Sequence, residues 1–193
     1  PCMGGAGTLR LIELMGNGMS QLADRDIVGL TADSRLVEPG YLFAALPSSV
    51  AESSIDGADF VPEAIRRGAV ALLGPPGLAG SLKASVDIPV IEDAEPRSRL
   101  SQLAARFFAD QPETIVAVTG TAGKSSIVEF VRQIWVALGR SGGSLGTLGV
   151  NSAPLRRKLA HTTPDPVILH EALRDLAAAG VDRLALEASS HGL

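Results

Sequence analysis

Short apolar runs alternate along this chain with longer stretches in which apolar residues recur every third or fourth position. Runs bounded by Gly, Pro and Asp predict strands over 27–32, 41–46, 69–73, 88–91, 115–119 and 183–189. Helical periodicity predicts helices over 8–15, 60–67, 95–109 and 126–138, with Gly68 and Gly139 as stops. A further helix begins at Asp165-Pro166, Asp as cap and Pro in the first turn, and runs to about 179 before Gly180. In 95–109 the apolar face is Leu100, Leu103, Ala104, Phe107 and Phe108. In 126–138 it is Ile127, Phe130, Val131, Ile134 and Leu138, and the same reading buries Trp135 edge-on. Residues 47–59 read as a polar loop, 142–150 as a glycine-broken strand region and 151–158 as a polar turn.

Strand–helix alternation in both halves predicts an α/β fold with parallel sheets. The segment Asp110-Gln111-Pro112-Glu113 breaks the pattern, which places a boundary between domains 1–111 and 112–193. In the second domain the strands 115–119 and 183–188 are expected to be parallel neighbours. Ligands of such sheets bind outside the carboxyl ends of the strands. That arrangement puts Glu187, Ser189, Ser190 and His191 on the same sheet edge as the turn after 119.

Composition narrows the function classes. Hydrophobic residues make up 46% of the 193 positions and aromatics 4%, so the core is built of Ala, Leu, Val and Ile. A net charge of −4 argues against a general nucleic-acid or anionic-membrane surface, so an anion site must be locally built. The single cysteine, Cys2, excludes an internal disulfide and suits a reducing compartment. The most apolar run, 69–80, is interrupted by Pro75 and Pro76 and is too short to span a bilayer; no secretory leader is read at the start. These features predict a soluble, cytoplasmic protein.

The strongest chemical signal follows the strand 115–119. Gly120-Thr121-Ala122-Gly123-Lys124-Ser125-Ser126 is a glycine-rich turn into a helix. Glycines let main-chain N–H groups curl around an anion, and the helix N-terminus adds donors and positive dipole. Lys124 can reach terminal phosphates, and the Ser125 hydroxyl is placed to ligate Mg²⁺. The pattern G-x-x-x-x-G-K-[ST] is incomplete, because Val118 stands at its first glycine and the loop is shorter. The spacing nevertheless specifies a nucleotide site.

Other candidates carry two readings each. Glu187, closing an apolar strand, suits a second contact to a nucleotide-bound Mg²⁺ or a surface glutamate. Thr162-Thr163, after His161 and before the helix cap Asp165, suits sugar or phosphate contacts or capping. Asp33-Ser34-Arg35 reads as an anion or uracil contact, or as a strand-end turn with a surface ion pair. His191 contacts a substrate or caps a turn, His170 is a helix-face residue, and Arg156-Arg157-Lys158 is a short solvated run.

Together these pieces resemble the Mur ligases of peptidoglycan precursor synthesis, in the branch that adds the third stem-peptide residue. The resemblance rests on Thr31-Ala32-Asp33-Ser34-Arg35 with 40–46, on the loop 120–126, on Thr162-Thr163-Pro164, and on Glu187-Ala188-Ser189-Ser190-His191-Gly192-Leu193. It implies a small N-terminal α/β substrate domain followed by the start of a P-loop ATPase-type parallel-sheet domain. It also implies ATP-dependent amide ligation of a diamino acid onto UDP-N-acetylmuramoyl-L-Ala-D-Glu through an acyl phosphate. Ser34, Ser53, Ser54 and Ile55 would then contact the UDP moiety. Gly120, Thr121, Ala122, Gly123, Lys124, Ser125 and Ser126 would bind ATP phosphates, with Lys124 catalytic and Ser125 and Glu187 on Mg²⁺. Thr162, Thr163 and Ser189 would hold the UDP-N-acetylmuramoyl-dipeptide. Ala122 and Ser125-Ser126 depart from the family's commoner Asn and Thr-Thr. The implied protein is a monomer without nucleic-acid partners or membrane insertion, and 193 residues correspond to an N-terminal portion, inactive alone. A P-loop NTPase or kinase without ligase chemistry, or a nucleotide-sugar binding module, is the alternative.

Overall fold

The computed structural model describes residues 7–16, 24–47, 56–82, 87–158 and 164–188. Ser53, Ser54, Ile55, Thr162, Thr163 and Ser189 lie outside the described residues, as do His161, Ser190 and His191. Contacts divide the chain into two compact units, Pro1–Phe107 and Phe108–Leu193.

The first unit opens with β1 (Leu9–Arg10), α1 (Leu11–Met15) and β2 (Asp26–Ile27), β1 and β2 pairing antiparallel. The single helix expected over 8–15 is thus shortened. Arg10 is extended (φ −69°, ψ 139°), its backbone pairs with Asp26, and its Nε donates to Asp24 at 2.6 Å. Strand pairing supplies partners there, so helix begins only at Leu11.

A four-stranded parallel sheet follows, in the order β3 (Gly29–Thr31), β4 (Tyr41–Ala44), β5 (Ala71–Gly74), β6 (Val90–Glu92). Parallel sheets are covered on both faces, which is why β4 and β5 read as continuous apolar runs. Phe43 and Leu72 pack with Val61 and Ala64 of α2 (Val61–Arg66) and with Leu78 of α3 (Leu78–Ser81). The helix α3 lies between the expected strands 69–73 and 88–91, where no helix was expected. α4 (Pro96–Phe108) buries Leu100, Leu103 and Ala104 completely, as its periodicity requires. From the same helix Arg106 donates to the carbonyls of Leu14 (3.1 Å) and Met15 (2.8 Å), satisfying the end of α1.

The second unit contains β7 (Thr114–Val118), α5 (Lys124–Ala137), β8 (Gly142–Gly146), β9 (Gly149–Asn151), β10 (Arg156–Arg157), α6 (Pro166–Ala178) and β11 (Arg183–Glu187). The strand order is β10-β9-β8-β11-β7. β11 runs parallel to both β7 and β8, with Leu184 opposite Ile115 and Gly143, while β8 and β9 form a hairpin. Leu145, Val150, Leu173, Leu176, Val181 and Leu184 form the core under α6. Asp165 caps α6 by accepting from the N–H groups of Val167 (2.9 Å) and Ile168 (3.2 Å).

Two expectations change in this unit. The apolar stripe of α5 faces outward: Phe130 is 61% and Leu138 70% exposed, Ile127 and Ile134 are exposed as well, and Trp135 is half-buried. The helix instead turns Ser125, Val128, Glu129 and Arg132 towards β8 and β11, positions i, i+3, i+4 and i+7 of the opposite stripe. The polar turn 151–158 holds β10, which pairs with β9, and Arg157 reaches Asp175 of α6 at 3.4 Å rather than standing in solvent.

Candidate functional site: the glycine loop and Glu187

The loop between β7 and α5 is exposed from Thr119 to Gly123. Gly120 (φ +146°) and Gly123 (φ +79°) hold backbone angles that L-residues rarely adopt. A Cβ on Gly123 would meet nothing within 4 Å, so glycine is required there by its torsion angle rather than by space. Gly123 precedes Lys124 as the residue that starts α5, and no side chain caps the helix. The first-turn N–H groups therefore face the loop as ready anion donors. The Lys124 ammonium folds back and donates to the Gly120 carbonyl at 2.5 Å. It stands over the mouth of the loop.

Beside the loop is a buried carboxylate. Glu187, 3% exposed, ends β11 in register with Val118, the last residue of β7. Ser125 Oγ donates to its Oε2 at 3.1 Å, bridging α5 to β11. Thr147, at the tip of the β8–β9 hairpin, donates its N–H to Oε1 (3.0 Å) and its hydroxyl to Oε2 (3.1 Å). A cavity of about 10 Å³, room for about one water, opens between Ser125, Glu129, Ser144 and Glu187. Gly146 admits this arrangement because its hydrogen faces Glu187, where a side chain would collide with the carboxylate.

These residues fit a Mg²⁺–nucleotide. Phosphate needs converging N–H donors and a mobile cation, which the glycine loop, the start of α5 and Lys124 supply. Mg²⁺ takes hard oxygen ligands, usually one or two from protein with the rest from phosphate and water. A hydroxyl and a carboxylate within hydrogen-bond distance of each other are such a pair. Among the described residues no cluster of three His, Cys, Asp or Glu side chains forms, so a cage made wholly of protein ligands is not what these residues offer.

Ser34 lies in the first unit, nearly buried in a 3₁₀ turn (Ser34–Leu36) at the carboxyl end of β3. Asp33 caps that turn by accepting from the Arg35 N–H at 3.0 Å, and the Arg35 guanidinium holds the Asp33 carboxyl below the usual carboxylate range. The ion pair is exposed at Arg35, matching the structural reading of this tripeptide, while Ser34 stays apart from it. Carboxyl ends of β3 and β4 lie side by side, Thr31 opposite Phe43. His170 is half-buried on α6, and that burial lowers its pKa.

Sequence reasoning missed Thr147, Gly146 and a cluster around Glu129. Glu129 accepts from Arg132 and Gln133 of its own helix, and from Ser144 and Asn151 of the hairpin. The available signal was the string of glycines at 142, 143, 146 and 149, which marks close backbone approach as much as a broken strand.

Comparison with known proteins names the family. A family model described as "Mur ligase family, catalytic domain" matches residues 26–108, and one described as "Mur ligase middle domain" matches 118–193. The UDP-N-acetylmuramoyl-L-alanyl-D-glutamate–2,6-diaminopimelate ligase of Agrobacterium fabrum is 46% identical over 175 residues, 91% of this chain and 34% of the relative. The ligase of the same name from Chelativorans sp. is 50% identical over 168 residues, covering 86% of this chain and 33% of the relative. The chain thus spans about a third of the length of the curated relatives it matches. A solved structure of such a diaminopimelate ligase superposes with a TM-score of 0.66 at 28% identity, covering 86% of this chain and 33% of that one. A MurF ligase from Thermotoga maritima in complex with ADP shares the fold at 22% identity, TM-score 0.53, over 84% of this chain and 32% of that one. With the glycine loop and Glu187 both inside the matched middle domain, the chain belongs to the Mur ligase family.

Proposed function

We propose that the protein to which these residues belong is an ATP-dependent amide ligase that joins a diamino acid to the D-Glu side-chain carboxylate of UDP-N-acetylmuramoyl-L-Ala-D-Glu. The names of the relatives favour 2,6-diaminopimelate as that amine. The observation that carries the reading is the Ser125–Glu187 hydrogen bond of 3.1 Å beside an exposed glycine loop.

In this reading residues 1–111 bind the UDP part of the substrate and 112–193 begin the nucleotide domain. N–H groups of the loop and the first turn of α5 orient the triphosphate of ATP. Lys124 leaves the Gly120 carbonyl to neutralise charge as the γ-phosphoryl group passes to the substrate carboxylate. Ser125 and Glu187 would hold Mg²⁺, which when bound supplies further neutralisation of the phosphates. The acyl phosphate is then attacked by the amine, a C–N bond forms, and phosphate departs. Positioning and charge stabilisation are the whole contribution asked of these residues. Ser34, Ser53, Ser54 and Ile55 serve the uridine end, and Thr162, Thr163 and Ser189 the muramoyl-dipeptide. The protein acts as a cytoplasmic monomer.

Calorimetric titration of the 193-residue chain with ATP and Mg²⁺, and in parallel with UDP-N-acetylmuramoyl-L-Ala-D-Glu, tests the proposal. Binding of both is expected. ATP binding without a response to the UDP ligand would favour a plain NTPase, and phosphate release by the longer protein without any amine acceptor would overturn the ligase assignment.

A further inference from the structure

Ser125 and Glu129 stand four residues apart and so share one face of α5, the face turned to β8 and β11. Each reaches across to a different part of the sheet. Ser125 meets Glu187 on β11. Glu129 divides its carboxylate between two directions. Both oxygens accept from Arg132 of its own helix, and Oε1 also from Gln133 (3.1 Å), while Oε2 alone takes Ser144 Oγ (3.3 Å) and Asn151 Nδ2 (3.4 Å) from the hairpin.

Ser144 and Asn151 are not arbitrary partners. They oppose each other in the antiparallel register of β8 and β9, two positions before the closing pair Gly146 and Gly149. The tip beyond that pair carries Thr147, which donates both its N–H and its hydroxyl to Glu187. The contacts therefore form a closed circuit: Ser125 to Glu187, Glu187 to Thr147, along the hairpin to Ser144 and Asn151, across to Glu129, and one helical turn back to Ser125. A rigid helix and a short hairpin are the two arms of this circuit, and Glu129 is the strut between them.

We propose that Glu129 is a positioning residue, which fixes the β8–β9 hairpin against the phosphate-loop helix and so holds Thr147 and Ser125 at their stations on Glu187. The assignment rests on the nucleotide-binding reading above for its consequence, though not for its geometry. Glu129 is not one of the residues assigned to phosphate or metal. Its reach ends at Ser144 and Asn151.

A structural role alone would loosen the unit evenly; a positioning role loosens the hairpin tip. The discriminating readout is amide hydrogen exchange at Thr147, compared with Ala185 in the middle of β11, in the 193-residue chain and its variants. Glu129→Ala should speed exchange at Thr147 about tenfold relative to Ala185, the weight of one charge-assisted hydrogen bond. Ser144→Ala, a milder change, should reproduce a several-fold part of this, because it removes one cross-element arm. Gln133→Ala removes only a contact within the helix and should leave Thr147 unchanged. Titration with ATP and Mg²⁺ should show affinity falling in the same order, about tenfold for Glu129→Ala. Equal acceleration at Thr147 and Ala185, or no effect of Ser144→Ala, would overturn the proposal. A wild-type chain that binds no nucleotide would overturn the functional reading instead and leave the exchange result to decide the role of Glu129.

Discussion

The carboxylate of Glu187 occupies the space a side chain on Gly146 would need: an ideal Cβ there would stand 2.2 Å from Oε1 and 2.5 Å from Cδ. Gly146→Ala must therefore push Glu187 away from Ser125 and Thr147, or bend β8. Either response should cost about 1–3 kcal/mol of stability, as overpacking generally does. It should also weaken Mg²⁺-dependent nucleotide binding by more than about tenfold. Thermal unfolding and calorimetry check the two effects separately.

Lys124 is a different kind of residue. Its one described contact is the Gly120 carbonyl in an exposed loop, so Lys124→Ala should shift stability by less than about 0.5 kcal/mol. On the proposed reading, its loss should lower ATP affinity and abolish turnover of the longer protein. Normal turnover in that variant would remove the phosphate loop from the mechanism.

Acid should act through Glu129. Its hydrogen bond with Arg132, first among several, holds its carboxyl down to about 2 from an ordinary value of 4.5. A group whose folded pKa is depressed contributes stability fully present above the unfolded value and lost as pH falls through the folded one. Between pH 4.5 and 2 on the order of 2 kcal/mol is at stake after allowance for partial exposure, most of it in the Arg132 pair within α5, and the hairpin should loosen as Ser144 loses its charged acceptor. Acid titration followed by exchange at Thr147 measures it; Glu129→Gln should flatten the dependence.

Gly123 offers a test of torsion without crowding. With φ at +79° and open space around it, Gly123→Ala should cost about 1 kcal/mol from backbone strain alone. A larger loss would mean that a further neighbour meets the loop.

The α5 stripe gives a contrast with α4. Leu103→Ala, in a fully buried position, should cost about 2–5 kcal/mol. Phe130→Lys, 61% exposed, should change the stability of the 193-residue chain by less than about 0.5 kcal/mol. Denaturant unfolding of both variants checks the difference.

Legibility in the sequence followed the physics of each signal. The β7–loop–α5 transition could be read because glycines, lysine and an apolar run are each locally required. The pairing of β11 with β7 was legible because two largely apolar runs in an α/β chain have few other places to go. Periodicity in α5 correctly marked one apolar face, but period alone does not say what a face meets. The sheet took the other face, held by Ser125, Val128 and Glu129. Glu129 with Arg132 three residues on reads as a solvated pair on any surface helix. Only the fold brings Ser144 and Asn151 to it. Leu9 and Arg10, inside the expected helix over 8–15, went to β1 because their partner, β2, lies well along the chain.

The order β10-β9-β8-β11-β7 has a consequence for how the site comes into being. β11, latest of these strands in the chain, belongs between two made much earlier, so the sheet cannot zip up from one side as synthesis proceeds. Until residue 188 has left the ribosome, β7 and β8 have no strand between them and the glycine loop has no carboxylate beside it. The candidate site of this unit is thus a late, non-local product of folding, assembled when β11 inserts rather than when its recognisable loop is made.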